Sequence, residues 1–269
     1  MIGVEVNPVQ KPFNPADILN EIGVGFESGS DVFDENSRTL LMVHGAGGRS
    51  QIWRRQVSGL KDIANTLALD LPGHGKTTGE SKSNVKDYAQ WLGLILDRLR
   101  LNSVILMGHS LGGAIVLNSA LLYPNLLRGI ILVGTGPRLP VNPSLLEGLS
   151  SNFEKTVDTI NGYAFASGTD PAMVEEGARF MKEAGPVAVR DGFLASDRFD
   201  VEDNLSEINL PCLILCGEKD KMTPVKLSIS LNQGIRGSVL QILPSAGHML
   251  MIESTEAFNS RVRDFILYS

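Results

Sequence analysis

Residues 103–118 constrain the chain most: an apolar run, then a turn of small residues carrying one serine, then a helix. Residues 103–107 are short, β-branched and apolar on both faces, the pattern of a strand buried between two layers. Residues 111–122 place Ala114, Leu117 and Leu121 at helical spacing. Between them, Gly108-His109-Ser110-Leu111-Gly112 reads Gly-x-Ser-x-Gly. A serine thrust out of a sharp strand-to-helix turn sits in strained backbone. Side chains two residues to either side would collide with it, and glycine removes them. The helix N-terminus behind Ser110 offers N–H groups to a developing negative charge.

The rest of the chain repeats the strand-then-helix rhythm. Residues 39–43, 65–69, 129–133, 211–216 and 239–243 read as strands. Residues 50–60 (Ile52, Trp53, Val57 and Leu60 on one face) and 84–100 (Tyr88, Trp91, Leu92, Ile95 and Leu99 inward) read as helices. So do a segment opened by Pro224 and residues 255–267. Strand and helix alternating at this pace imply parallel βαβ units and a doubly wound, mostly parallel sheet. Residues 1–20 carry little periodicity and read as an irregular lead-in. Residues 23–27 with 31–36 suggest an early hairpin-like edge.

The rhythm breaks over residues 138–204, which hold helical patterns and no buried strand. Leu146, Leu149, Phe153, Val157 and Ile160 fall on one helical face. Asp170-Pro171, an N-cap followed by proline at the first helical position, opens a second helix. Gly185-Pro186 opens a third, carrying Val189 and Phe193. The expected architecture is an α/β core of residues 1–137 and 205–269 with a helical cap, residues 138–204, over the carboxyl edge of the sheet. A length of 269 residues at 43% hydrophobic content supplies one large domain of this kind.

A net charge of −6 disfavours nucleic acid and anionic membranes as partners and leaves a small-molecule substrate. No apolar run approaches the roughly 18 residues of a membrane span. The first eight residues show neither the basic nor the apolar region of a signal peptide. Cys212 and Cys216 lie along one predicted strand, about 13 Å apart when extended and beyond disulfide reach. Two reduced core thiols fit a cytoplasmic protein.

A serine nucleophile needs a base to take its proton and an acid to orient that base. In an open α/β sheet such groups gather beyond the carboxyl ends of the strands. Of four histidines, His44 belongs to a glycine-rich turn, His74 lies between two glycines, and His109 adjoins the serine and cannot readily reach over it. His248, in a small-residue loop after the last strand, is the expected base. Asp220 follows the strand after the helical insert and is the expected acid. Glu218, two residues earlier, is the alternative, while Asp70 more plausibly braces its own turn. An oxyanion hole needs two fixed N–H donors. Leu111 supplies one, and Ala46, in the glycine-rich loop after residues 39–43, is the choice for the other. That loop lacks the Lys-Ser/Thr of a phosphate cradle. No cluster with metal-ligand spacing is present, and no cofactor is expected.

These motifs resemble the α/β-hydrolase fold superfamily. The resemblance runs from about residue 22 to the end and rests on His44-Gly-Ala-Gly-Gly48, Asp70-Leu-Pro-Gly-His-Gly75, Gly108-His-Ser-Leu-Gly112, Gly217-Glu-Lys-Asp220 and Gly247-His248, in the order Ser, Asp, His. It implies Ser110 as nucleophile, Asp220 as acid, His248 as base, Ala46 and Leu111 as oxyanion donors, and a helical cap between the sixth and seventh strands. The sequence departs from the pattern at Lys76, where many members have a serine nearby. The expected activity is that of a serine hydrolase, a carboxylesterase for small apolar esters, with Phe153, Phe180 and Phe193 roofing the substrate pocket. Alternatives on the same scaffold are a carbon–carbon bond hydrolase of ring-fission diketones, a cofactor-free haloperoxidase or lyase, and a non-catalytic ligand receptor. A cap arginine (Arg138, Arg179 or Arg190) placed for a substrate carboxylate would favour the diketone hydrolase.

Overall fold

The computed structural model describes residues 14–34, 36–101 and 103–268. Seven strands form one sheet: β1 (Phe26–Ser28), β2 (Thr39–Val43), β3 (Asn65–Leu69), β4 (Val104–His109), β5 (Leu127–Val133), β6 (Cys212–Gly217) and β7 (Val239–Leu243). Their order is β1-β3-β2-β4-β5-β6-β7; β1 runs antiparallel to β3 and every other pair is parallel. The register aligns the carboxyl ends: Val43 lies beside Leu69 and Gly108, His109 beside Val133, and Gly217 beside Leu243. The loops that follow therefore meet along one edge, where the sequence places its candidate chemistry.

The helices of the core are α1 (Pro15–Glu21), α2 (Arg54–Leu60), α3 (Val85–Leu99), α4 (Leu111–Leu122), α8 (Val225–Gly234), α9 (Leu250–Glu253) and α10 (Thr255–Tyr268). Successive strand residues point to opposite faces, so each apolar strand feeds two cores. Leu41, Val43, Leu67, Leu69, Leu106 and Leu132 pack with α3 and α4; Leu40, Met42, Ala68, Ile105, Met107 and Val133 pack with α2 and α10. Burying one such side chain is worth about 1.5–3 kcal/mol. The buried thiols of Cys212 and Cys216 are free and lie in β6. No helix is long and apolar enough to cross a membrane among the described residues.

Three features of the core differ from the sequence reading. The described part of the lead-in contains a helix, α1, capped by Asn14, whose side chain accepts from Ala16 N at 2.9 Å; residues 1–13 lie outside the described residues. The early edge is no hairpin: β1 pairs with β3, Phe26 opposite Leu69, while Asp34 turns the chain by accepting from Asn36 N. Helix α4 is buried on nearly every side rather than along one stripe, because it is packed among the sheet, α3 and the inserted helices.

Those inserted helices are α5 (Pro143–Ser151), α6 (Phe153–Ala164) and α7 (Pro171–Asp197). They leave the sheet after β5 and return at β6, since only β1 precedes β2 among the described strands. The apolar face running from Leu146 to Ile160 is not one helix: the backbone breaks at Asn152 (φ −150°, ψ 66°). The predicted second and third helices are two arms of α7, bent at Gly185 (φ 83°, ψ 167°), a left-handed conformation that suits glycine, just before Pro186. Leu149, Ile160, Val189 and Phe193 form a small core of their own.

Candidate active site

Ser110 stands between β4 and α4 at φ 55°, ψ −118°, strained for a residue with a Cβ. Its backbone is fixed from both sides. Ser110 N donates to Val133 O at 2.9 Å, and Ser110 O accepts from Gly113 N and Thr135 Oγ1, each at 2.9 Å. The flanking glycines are required for a different reason than collision with the serine. A Cβ on Gly108 would strike the Gly112 carbonyl, and one on Gly112 would strike the Val43 carbonyl. The turn is thus locked by backbone against backbone. The glycine that does face the serine is Gly45, where a Cβ would lie 3.1 Å from Ser110 Cβ.

The Ala46 and Leu111 N–H groups have no hydrogen-bond acceptor among the described residues. Leu111 is the first residue of α4, where N–H groups are left over by helix geometry. Ala46 sits in a loop tethered on both sides: Gly48 N donates to Gly45 O at 3.0 Å, and Gly47 N lies 3.3 Å from His74 Nε2.

On the far side, His248 and Asp220 are buried, and His248 Nδ1 lies 2.8 Å from Asp220 Oδ2. Asp220 Oδ1 accepts from the Met222 and Thr223 N–H groups at 2.8 Å each, and Oδ2 accepts from Thr223 Oγ1 at 2.8 Å. Burial pushes the Asp220 carboxyl up. The charge and hydrogen bond of His248, with the Thr223 bonds, more than offset this and hold it below the ordinary aspartate value. With Nδ1 engaged, His248 presents Nε2 without a protein partner. Ser110 Oγ likewise makes no hydrogen bond among the described residues. Glu218, the alternative acid, is exposed and accepts from Ser245 N at 3.0 Å, away from His248.

The other three histidines are structural. His44 donates from Nδ1 to Gly45 O at 2.7 Å and accepts from Leu71 N at Nε2 (3.0 Å); burial and the neighbouring His74 push it down to about 3. His74 bonds Pro72 O at 3.0 Å and is lowered chiefly by burial. His109 is also driven well down by burial, then by His248, and its Nε2 anchors the His248 carbonyl at 3.0 Å. Asp70 braces its turn by accepting from Ser50 N at 2.6 Å and Lys76 N at 2.9 Å.

Three supports escaped the sequence reading. Thr223 completes the hydrogen bonds of Asp220, and His109 holds the backbone of His248. Glu253 in α9 accepts from Gly247 N (2.8 Å), Ala166 N (2.7 Å) and Thr169 Oγ1 (2.7 Å), stapling the His248 loop to the inserted helices. Only Thr223, three residues beyond a candidate acid in an Asp-x-x-Thr-Pro turn, carried a local signal.

Ser110, His248, Ala46, Phe180 and Phe193 line one cavity of about 920 Å³. Phe153 does not line it; as the first residue of α6, set by the break at Asn152, it packs on the small core of Leu149 and Ile160 instead. Phe180 lies under the guanidinium groups of Arg49 and Arg179, at 4.7 and 4.9 Å. Arg138 reaches the cavity rim but is paired with Glu202 at 2.9 Å; Arg179 is paired with Glu183 at 3.0 Å, and Arg190 does not line the cavity.

The family model for the alpha/beta hydrolase family matches residues 40–261. The chain belongs to this family. A solved thermophilic esterase is 31% identical and superposes with a TM-score of 0.79, covering 90% of this chain and 92% of that one. A pimeloyl-[acyl-carrier protein] methyl ester esterase of Photobacterium profundum is 26% identical over 84% of this chain and 94% of its own length. An uncharacterized hydrolase, YugF of Bacillus subtilis, is 26% identical over 85% and 90%. This alpha/beta hydrolase is therefore a hydrolase with a seven-stranded, mostly parallel sheet, and its carboxyl edge carries the candidate chemistry.

Proposed function

We propose that this alpha/beta hydrolase is a serine carboxylesterase acting through Ser110, His248 and Asp220. The observation that carries the reading is the juxtaposition in one cavity of a strained, unpartnered serine, a histidine oriented by a buried carboxylate, and Ala46 with its idle N–H, the second idle N–H being that of Leu111 directly after the serine. Ser110 Oγ attacks the ester carbonyl while His248 Nε2 takes its proton. The carbonyl electrons move to oxygen, facing Ala46 N–H and Leu111 N–H. The tetrahedral species then collapses, the carbon–oxygen bond to the alcohol breaks, and His248 returns the proton to the departing oxygen. Water, deprotonated by His248, repeats the sequence and releases the acid. Asp220 keeps the proton of the resting imidazole on Nδ1 and stabilises the imidazolium. No cofactor enters this chemistry.

The inserted helices act as a cap whose Phe180 and Phe193 roof an apolar compartment. A cavity of about 920 Å³ is at the upper end for a small-molecule site and admits an acyl or alkyl chain longer than that of a minimal ester. Arg138 and Arg179 are ion-paired and Arg190 lies off the cavity, so none of the three is placed for the carboxylate of a ring-fission diketone, although Lys221 and Lys226 line the cavity with no ion pair among the described residues. Turnover separates an esterase from a ligand receptor. A fluorophosphonate should label the protein once, at Ser110, and Ser110→Ala should abolish hydrolysis of 4-nitrophenyl esters in a protein that still folds. Labelling at another serine, or retained activity, overturns the reading.

A further inference from the structure

Helix α7 does more than roof the cavity, because it rests both on the loop that carries Ala46 and on Leu111 at the start of α4. A Cβ placed on Gly192 would lie 2.9 Å from Ala46 Cβ, 3.2 Å from Ala46 Cα and 3.3 Å from Leu111 Cδ2. One bare Cα on the cap thus touches both residues whose N–H groups are idle. The contact is repeated along the loop. Gly47, at φ 69°, has Met181 Cγ 2.7 Å and Val189 Cγ2 3.1 Å from the position of a Cβ, and Arg49 pairs with Glu183 at 2.7 Å. Both arms of α7 bear on the loop, since Met181 and Glu183 precede the bend at Gly185 and Val189 and Gly192 follow it. From beneath, the loop hangs on His74 through Gly47 N.

Helix propensity does not ask for glycine at position 192; an interior glycine costs about 1 kcal/mol relative to alanine. Close approach explains it. We propose that Gly192 is a positioning residue for the oxyanion hole, seating α7 directly on Ala46 and Leu111 and so setting the spacing of their two N–H donors. The proposal rests on the serine-esterase reading above. Phe193, the next residue, lines the cavity. A chain that fits against Phe193 presses on the helix that holds the donors, so acyl preference is expressed in kcat and not in KM alone.

The test is a double-mutant cycle of Gly192→Ala and Ala46→Gly, read with 4-nitrophenyl butyrate, thermal unfolding and fluorophosphonate labelling. Gly192→Ala is expected to lower kcat by on the order of tenfold or more, short of the roughly 100-fold for a donor removed outright, with KM within about threefold. In the Ala46→Gly background, where the nearest obstructing atom is gone, the same substitution should cost less than about threefold. Loss below about twofold, equal loss in both backgrounds, or loss confined to KM overturns the proposal. Should Gly192→Ala fail to fold, Val189→Ala carries the test by removing the pressure on Gly47: kcat must fall while KM holds, and unchanged kcat overturns it. A wild-type protein inert to fluorophosphonate would instead overturn the esterase reading itself, so the two failures are distinguishable.

Discussion

The elbow and the His248 loop bring their side chains to one cavity by opposite means. At the elbow, backbone packs on backbone: Gly108 against the Gly112 carbonyl, and Gly112 against the Val43 carbonyl. No side chain there could be improved, and almost any added Cβ must push on main chain. The acid–base side is held by polar side chains instead. Thr223 and two N–H groups grip Asp220, Glu253 staples Gly247 to the inserted segment at Ala166 and Thr169, and His109 and the Ala164 carbonyl fix the His248 backbone. The first arrangement fixes a strained serine by exclusion. The second holds the candidate base and acid by hydrogen bonds, which also help keep the Asp220 carboxyl below the ordinary aspartate value. The difference predicts that substitutions on the two sides fail differently: loss of fold at the elbow glycines, loss of rate in a folded protein at the acid–base side.

The largest effect should come from the acid–base side. Asp220→Asn is expected to lower kcat by on the order of 10⁴, as a serine triad does when its acid can no longer fix the imidazole tautomer. Melting temperature should move far less than rate. Glu218→Gln, on the exposed neighbour, should change kcat less than about twofold. Steady-state kinetics with thermal unfolding decide this, and a reversed order would assign the acid to Glu218.

Next comes Gly112→Ala at the elbow, where the new Cβ meets the carbonyls of Val43 and His44. A clash with main chain in a close-packed core costs several kcal/mol, roughly 3 or more. Denaturant midpoint and soluble yield should fall together. A folded, stable Gly112→Ala that had merely lost activity would erase the contrast drawn above.

Acid should weaken the elbow side over a defined window. His44, His74 and His109 are all held neutral by burial, with depressed pKa values. The unfolded chain takes up protons below about 6.5 that the folded chain refuses. Stability is therefore retained above that pH and falls as pH drops, by up to about 1.4 kcal/mol per pH unit for each histidine. For His44 the window closes only near 3. Unfolding near pH 5 should be accompanied by uptake of close to two protons at His44 and His109 and a further contribution at His74, measured as the pH dependence of the unfolding free energy. Uptake below one proton would contradict their burial as neutral rings.

What could be read in advance follows from how local each cause is. Strands β2, β4 and β6 are buried at every position, so their apolar runs are unambiguous, whereas β7 is half exposed at the sheet edge. Ser110 announces itself because strand, turn and helix are contiguous. His248 is singled out as the candidate base by elimination among four histidines. Helix α1 opens with Asn14-Pro15, the same cap-and-proline signal as Asp170-Pro171, and was legible though passed over. The pairing of β1 with β3 was not legible, since its partner lies some forty residues away and no turn announces it. Nor was the break at Asn152: Leu149, Phe153 and Val157 keep helical phase across it, and only the packing of α5 and α6 on α7 shows where the chain turns. Glu253 acts on a loop that neither its spacing nor its type foretells.

That break makes the smallest and sharpest prediction, because it sets apart two phenylalanines, Phe153 and Phe193, that the sequence reading places together over one substrate pocket. Phe193 lines the cavity that Ser110 lines, while Phe153 is absent from its wall and packs against the small core of Leu149 and Ile160. An apolar chain gains about 0.8 kcal/mol, roughly fourfold in affinity, for each methylene buried until the compartment is full. Activity across 4-nitrophenyl esters should accordingly rise with chain length and then fall. Phe193→Ala enlarges the compartment by most of a ring and should move the optimum to longer esters by about two to three carbons. Phe153→Ala removes a comparable ring from outside the cavity; it should lower stability by roughly 1–3 kcal/mol and leave the optimum where it was. Chain-length profiles of the two variants, measured beside their melting temperatures, give the comparison directly. If Phe153→Ala moves the optimum as far as Phe193→Ala does, the acyl group reaches behind the small core and the compartment extends past the break at Asn152. If neither moves it, the chain lies along the opposite wall, by Ile52 and Met249, and the cap touches substrate only through the helix that carries Gly192.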